Sequence, residues 1–123
     1  MINNFIKIIK NSCSRCTEDW EIDLETLKEM INKGAILIDV RSIQEYNEGH
    51  LLGAIHIADY EIQEKHNNVL LNKNAQIILY CQNGGRSKKA YKKLKKLGYT
   101  NVYNLYGGLD KSNIIWYNAH INC

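Results

Sequence analysis

The chain has 123 residues, 45% of them hydrophobic and 24% charged, and a formal net charge of +3. That length suits one domain with a real core and leaves no room for two ordinary ones. The composition is that of a soluble globular protein, and no run approaches the roughly 20 apolar residues a membrane helix needs.

The stretch 1–10, MINNFIKIIK, is too short and too interrupted for the apolar part of a secretion signal. A cytoplasmic location with no membrane partner is the expectation. The charge is unevenly spread. Lys88, Lys89, Lys92, Lys93, Lys95 and Lys96 contribute +6 in one acid-free stretch, which leaves −3 for the rest. This is local polarity, not a globally basic nucleic-acid binder. The lysines read as a solvated helix face, with an acidic partner as the lesser reading. The cysteines are Cys13, Cys16, Cys81 and Cys123. A chain long enough for its own core, with no export signal, does not read as a disulfide scaffold. There is no proline, so the turns rest on Gly, Asn and Asp.

In chain order, residues 1–19 form an arm of uncertain structure, 20–119 the domain and 120–123 a tail. Asp23 stands where a helix N-cap belongs. Leu24, Leu27, Met30 and Ile31 follow at helical spacing, and Gly34 is a stop. Residues 35–40 are a continuous apolar run of strand length, as in a strand buried on both faces. Ser42 caps a short helix through Glu48. Ala54–Ile57 reads as a strand, Asp59–Leu71 as a helix and Gln76–Tyr80 as a second buried strand. Ser87–Leu97 is an amphipathic helix with Ala90, Tyr91, Leu94 and Leu97 on its apolar stripe. Asn101–Leu105 is a strand, Gly107-Gly108 a turn, and a last helical segment leads to Trp116. Strands alternating with helices imply an α/β sheet, largely parallel, whose reactive site lies beyond the carboxyl ends of the strands.

That rule points to Cys81-Gln82-Asn83-Gly84-Gly85-Arg86-Ser87, between a buried strand and a helix. Two glycines let the loop curl so that backbone N–H groups point inward. The helix dipole adds partial positive charge. Arg86 is a permanent cation, and Ser87 either caps the helix or hydrogen-bonds the sulfur. The result is a cradle for an anion: a thiolate, a persulfide sulfur, thiosulfate, phosphate or arsenate.

These residues resemble rhodanese-like domains over about residues 22–116. The resemblance rests on Ile38-Asp39-Val40-Arg41 with Glu45 and Tyr46, on Gly49-His50-Leu51-Leu52-Gly53-Ala54-Ile55, and on Tyr80-Cys81 with Gly84, Arg86-Ser87 and Ala90. Leu97-Gly98-Tyr99, Asn101-Val102, Leu105, Gly107-Gly108 and Trp116 complete it. Leu52 departs from the proline that often precedes the glycine, which changes loop stiffness but no chemistry. The resemblance implies a five-stranded, mainly parallel sheet flanked by helices on both faces. It implies that Cys81 takes sulfane sulfur from thiosulfate, a polysulfide or a persulfide and passes it to cyanide or a thiol. That thiol could belong to thioredoxin or a sulfur-carrier protein. It also implies that the loop from Cys81 to Arg86, at six residues, belongs to the sulfur-handling branch. Related phosphatases and arsenate reductases have one more loop residue.

On this reading Cys81 is catalytic. Inward N–H groups of Gln82, Asn83, Gly84, Gly85, Arg86 and Ser87 hold the persulfide, and Arg86 orients an anionic donor. Asp39, Arg41, Glu45 and His50 have structural roles beside the site, with a His50 general base as the lesser alternative. No metal or organic cofactor is expected: His56, His66 and His120 fit no ligand spacing, and Cys13-Ser14-Arg15-Cys16 is a lone CxxC. That pair is incidental or a redox partner of Cys81. The rival readings are a non-catalytic binding or regulatory module, and a phosphatase or arsenate reductase on the same scaffold.

Overall fold

The computed structural model describes residues 18–112 and 120–121. Cys13, Cys16, Cys123 and the helical segment expected before Trp116 lie outside the described residues.

The elements follow the apolar patterning. Strand β1 (Glu21–Ile22) leads into helix α1 (Leu24–Asn32), where the Asp23 side chain accepts from Thr26 N at 2.9 Å. This cap satisfies one of the orphan N–H groups of the first turn. Strand β2 (Ile36–Asp39) and helix α2 (Ile43–Glu48) come next. Ser42 and Glu45 cap α2 reciprocally: Glu45 N donates to Ser42 Oγ and Ser42 N to Glu45 Oε1, each at 3.2 Å. Then follow β3 (His50–Leu51), β4 (Ile55–His56), a 3-10 turn (Asp59–Glu61) and α3 (Ile62–Val69). The expected single helix over 59–71 is thus a tight turn and a shorter helix. Strand β5 (Ile77–Tyr80), helix α4 (Gly85–Lys96), strand β6 (Val102–Leu105) and a 3-10 turn (Leu109–Lys111) complete the core. A last short strand, β7 (His120–Ile121), pairs in parallel with β3.

The five-stranded sheet has the order β1-β6-β5-β2-β4, and all its pairings are parallel. This is the mainly parallel α/β architecture expected from the sequence. The central strand β5 is buried along its whole length. Its residues alternate between two cores, as the twofold period of a strand requires. Ile77 and Leu79 join Ile38, Val40, Ile62, Ala90, Leu94 and Val102 on the face that α3 and α4 cover. Ile78 and Tyr80 join Leu27, Leu37, Leu51, Leu105 and Leu109 on the α1 face.

Leu94 is fully buried between α4 and the sheet. Leu94→Ala should destabilise the fold by about 2–5 kcal/mol, read as a lower urea midpoint with an unchanged slope. A loss well under 1 kcal/mol would show that α4 is not packed as described.

Candidate active site

Strand parity places the reactive sulfur. Residues 77, 79 and 81 share one face of β5, and Cys81 continues the α4-side core one step past the strand. Cys81 is fully buried. Its Sγ therefore lies at the carboxyl end of the central strand, beneath the start of α4, where an open parallel sheet puts its ligands.

The loop then curls over the sulfur. Gly84 takes φ +96°, a left-handed conformation open to glycine, and a Cβ there would meet Gly107 N at 3.3 Å. The turn aims Gly84 N at Cys81 Sγ, at 3.1 Å, and Ser87 N reaches the same sulfur at 3.4 Å. Gly85 N instead donates to Asn83 Oδ1 at 2.9 Å. Ser87 Oγ sits 3.4 Å from Cys81 Sγ and 3.2 Å from Gly84 O. Its single proton serves one of these acceptors at a time. With a protonated thiol, S–H can donate to Ser87 Oγ while the hydroxyl donates to Gly84 O. With an anionic sulfur, the hydroxyl can turn to Sγ and give it a third donor.

The opposite side of the loop is clamped. Leu109 N donates to Cys81 O at 3.1 Å and Asp110 N to Gln82 O at 2.9 Å. These bonds hold both carbonyls away from the sulfur. Gly108 makes the approach feasible: a Cβ at this position would lie 2.5 Å from Cys81 O and 2.6 Å from Gln82 O. Gln82 adds a side-chain tie, donating from Nε2 to Asp110 Oδ1 at 2.7 Å.

Two arginines lie around the loop, and both are engaged. Arg41 is buried against the fully buried Asp39, with Nη2 donating to Asp39 Oδ2 at 2.8 Å and to Gly49 O at 2.6 Å. Its Nη1 reaches Gln82 Oε1 at 3.4 Å. Asp39 and Arg41 thus tie β2 to the loop before β3 and to the Cys81 loop. Arg86 forms a two-pronged pair with Glu45, Nη1 to Oε1 at 2.7 Å and Nη2 to Oε2 at 3.0 Å. The Arg86 hydrogen bonds, helped by the Ser42 cap, pull the Glu45 pKa down to about 2 against a partial opposing effect of burial. Burial, with the charge of Asp39, pushes the Tyr80 phenol up, and its oxygen accepts from Leu51 N at 3.0 Å.

The structure thus gathers Cys81, Gln82, Asn83, Gly84, Gly85, Arg86 and Ser87 in one loop, with Asp39, Arg41 and Glu45 bracing it. Helix α4 begins at Gly85, two residues earlier than expected, with Gly84 as its N-cap. Ser87 is therefore buried inside the first turn and faces the sulfur instead of capping. The N–H groups seen on Sγ are those of Gly84 and Ser87. Arg86, expected to orient an anion, is held by Glu45 through both terminal nitrogens. The His50 ring stacks on Tyr46 at 3.7 Å, with Nδ1 2.8 Å from Tyr46 O, and these contacts do not lead to Cys81. Sequence reasoning missed Leu109 and Asp110, whose role is played by backbone. It also missed Glu21, which is buried and lies 3.6 Å from Lys88 Nζ. Glu21 lines a cavity of about 380 Å³ beside the loop, with Asn83, Gly84, Gly85, Lys88, Tyr106, Gly107 and Lys111.

A family model described as rhodanese-like domain matches residues 23–113. The chain is 36% identical over 91 residues to a putative sulfur carrier protein of Bacillus subtilis, covering 72% of this chain and 48% of that protein. It is 32% identical over 78 residues to a thiosulfate sulfurtransferase of Pseudomonas entomophila, covering 63% and 70%. A human single-domain sulfurtransferase superposes with a TM-score of 0.65 at 27% identity, over 72% of this chain and 90% of that one. The chain spans 48% of the length of that sulfur carrier protein and 60% of the length of another Bacillus subtilis relative, to which it is 43% identical over 77 residues.

The Glu45–Arg86 pair makes stability depend on pH. Glu45 has a folded pKa near 2, against 4.5 for the unperturbed side chain. Its stabilisation is complete above the unfolded value and is lost as pH falls through the folded one. In urea titrations, the stability gap between wild type and Glu45→Gln should be constant above pH 4.5 and shrink from there towards pH 2. A gap that does not change over that range would contradict the pairing.

Proposed function

The chain belongs to the rhodanese-like domain family, and on that premise we propose that it is a sulfurtransferase in which Cys81 carries sulfane sulfur from a donor to a thiophilic acceptor. The observation that carries this reading is the pair of backbone N–H groups, Gly84 and Ser87, converging on a fully buried cysteine sulfur. Fixed donors around a position of developing negative charge stabilise it without reorganisation.

In the first step the Cys81 thiolate attacks the outer sulfur of thiosulfate. The S–S bond of the donor breaks, sulfite leaves, and Cys81 holds a persulfide anion. In the second step a thiolate or cyanide attacks the outer sulfur, the new S–S bond breaks, and the Cys81 thiolate returns. Charge and electrons balance in both steps, so no redox partner is consumed. The Ser87 hydroxyl follows the charge by turning between Gly84 O and the sulfur. Arg86 spends both terminal nitrogens on Glu45 but keeps 36% of its side chain exposed. An anionic donor meets the exposed edge of Arg86, whose direction Glu45 fixes while offsetting part of its charge. Polysulfides and protein persulfides are donors of the same chemistry, and a reducing cytoplasmic setting supplies thiol acceptors.

The burial of Cys81 also favours sulfur over a tetrahedral oxyanion. The sulfur is enclosed by Gly84, Ser87 and the α4 core, and the loop from Cys81 to Arg86 keeps the six-residue length of the sulfur-handling branch.

Initial rates of thiosulfate-to-cyanide transfer test the assignment. Wild type should turn over, and Cys81→Ser should fall to the uncatalysed background with an unchanged urea midpoint. Turnover persisting in the serine variant would remove Cys81 from the mechanism.

A further inference from the structure

Helix α4 carries a feature that sulfur transfer to a small molecule does not use. Lys88, Lys89, Lys92, Lys95 and Lys96 are exposed and Lys93 is half-buried, while Ser87, Ala90 and Leu94 face the core. At 100° per residue, the six lysines fall within one outward arc of roughly 160°. No acidic residue interrupts the helix (Gly85–Lys96).

This arrangement opposes helix stability. Lys88 and Lys92, Lys89 and Lys93, and Lys92 and Lys96 are like charges one turn apart, which destabilise a helix. Lys88 lies in the first turn, where the dipole disfavours cations. Local compensation is small. Lys88 approaches Glu21 at 3.6 Å and Lys95 donates to Thr100 O at 3.4 Å. Lys89, Lys92 and Lys96 have no ion pair or hydrogen bond among the described residues.

The face runs directly into the Cys81 loop. At its loop end stands Gly85, exposed and without positive φ, whose added Cβ would meet only Asn83 Oδ1, at 3.3 Å. The backbone does not require glycine here. The missing side chain instead leaves the surface beside Asn83, at the loop end of the lysine face, open to a second molecule that lies along the lysines.

We propose that the outward face of α4, from Gly85 to Lys96, docks an acidic protein surface that brings a cysteine thiol to the Cys81 loop. The proposal rests on the sulfurtransferase reading and names the partner class. The docked thiolate attacks the outer sulfur of the Cys81 persulfide, the S–S bond to Cys81 breaks, and the partner leaves as a persulfide.

Carboxylates fit this face better than a nucleic acid or a lipid surface. The lysines of the face are compact point charges that pair with carboxylates and phosphates alike, so what surrounds them decides. The nearby aromatic rings, Trp20 and Tyr91, stack on each other at 4.0 Å, so each already has one face covered against stacking by a base. The apolar side of α4 is already packed in the core, so a bilayer would meet lysine tips alone.

The test uses two synthetic peptides as sulfur acceptors, one cysteine flanked by glutamates and the same peptide with glutamines. At low salt the glutamate peptide should show a kcat/KM roughly tenfold higher, as expected for electrostatic steering, and lose the advantage at high salt. Lys89→Gln/Lys92→Gln/Lys96→Gln should abolish the preference and leave thiosulfate-to-cyanide turnover unchanged. Equal rates for the two peptides, or a preference that survives the triple variant, would overturn the proposal. So would single-stranded poly(U) RNA or phosphatidylserine vesicles binding more tightly than the glutamate peptide, with that binding lost in the triple variant. Fluorescence anisotropy of labelled peptides with serine in place of cysteine reads docking without chemistry. If cyanide turnover is absent, the sulfurtransferase reading fails, and anisotropy still decides whether the face selects carboxylates.

Discussion

Leu109 N and Asp110 N hold the carbonyl oxygens of Cys81 and Gln82 from outside the loop, and the geometry of the site depends on that clamp. A peptide unit cannot present its N–H and its C=O to the same point. The clamped peptide units carry the N–H groups of Gln82 and Asn83; with their carbonyls held outward, neither oxygen faces the space in which Gly84 N and Ser87 N reach the sulfur. The clamp needs two backbones in close contact, and Gly108 permits it because any Cβ would occupy the space of the carbonyl oxygens. The chemistry assigned to Cys81 thus begins some thirty residues away, at a turn with no reactive side chain.

Charge is arranged with similar economy. Arg41 and Asp39 form a buried pair that also reaches Gly49 O and Gln82 Oε1, so the ion pair ties two loops to β2. Breaking one partner of such a pair costs far more than the pair contributes net. Their placement is therefore a matter of geometry more than of stability. Glu45 does two jobs, capping α2 with Ser42 and holding Arg86. The loop is thereby braced from β2 on one side and α2 on the other, while the Cys81 sulfur is enclosed.

Much of this was legible in the sequence, for identifiable reasons. The apolar runs that become β2 and β5 are continuous because both faces of a central parallel strand are buried. Asp23 and Ser42 announce their helices through side-chain caps. The start of α4 was misplaced because its N-cap, Gly84, works by a left-handed backbone and has no capping side chain. Ser87 carries the conventional capping chemistry and drew the boundary two residues too late. Of the two-residue strands among the described residues, β1, β3, β4 and β7, only β4 is read from the sequence, within Ala54–Ile57, because so short a pair has no period to detect. The Glu45–Arg86 pair spans 41 positions, and nothing local joins the two residues. The clamp is backbone-to-backbone, so its only trace in the sequence is Gly107-Gly108.

The most direct measurement of the central claim is the intact mass of the protein after exposure to thiosulfate and removal of the excess. A gain of about one sulfur atom, located on Cys81 by fragmentation and removed by cyanide, is the result the covalent mechanism predicts. An unchanged mass with both thiosulfate and polysulfide as donors, or a sulfur that resides on another cysteine, would contradict it.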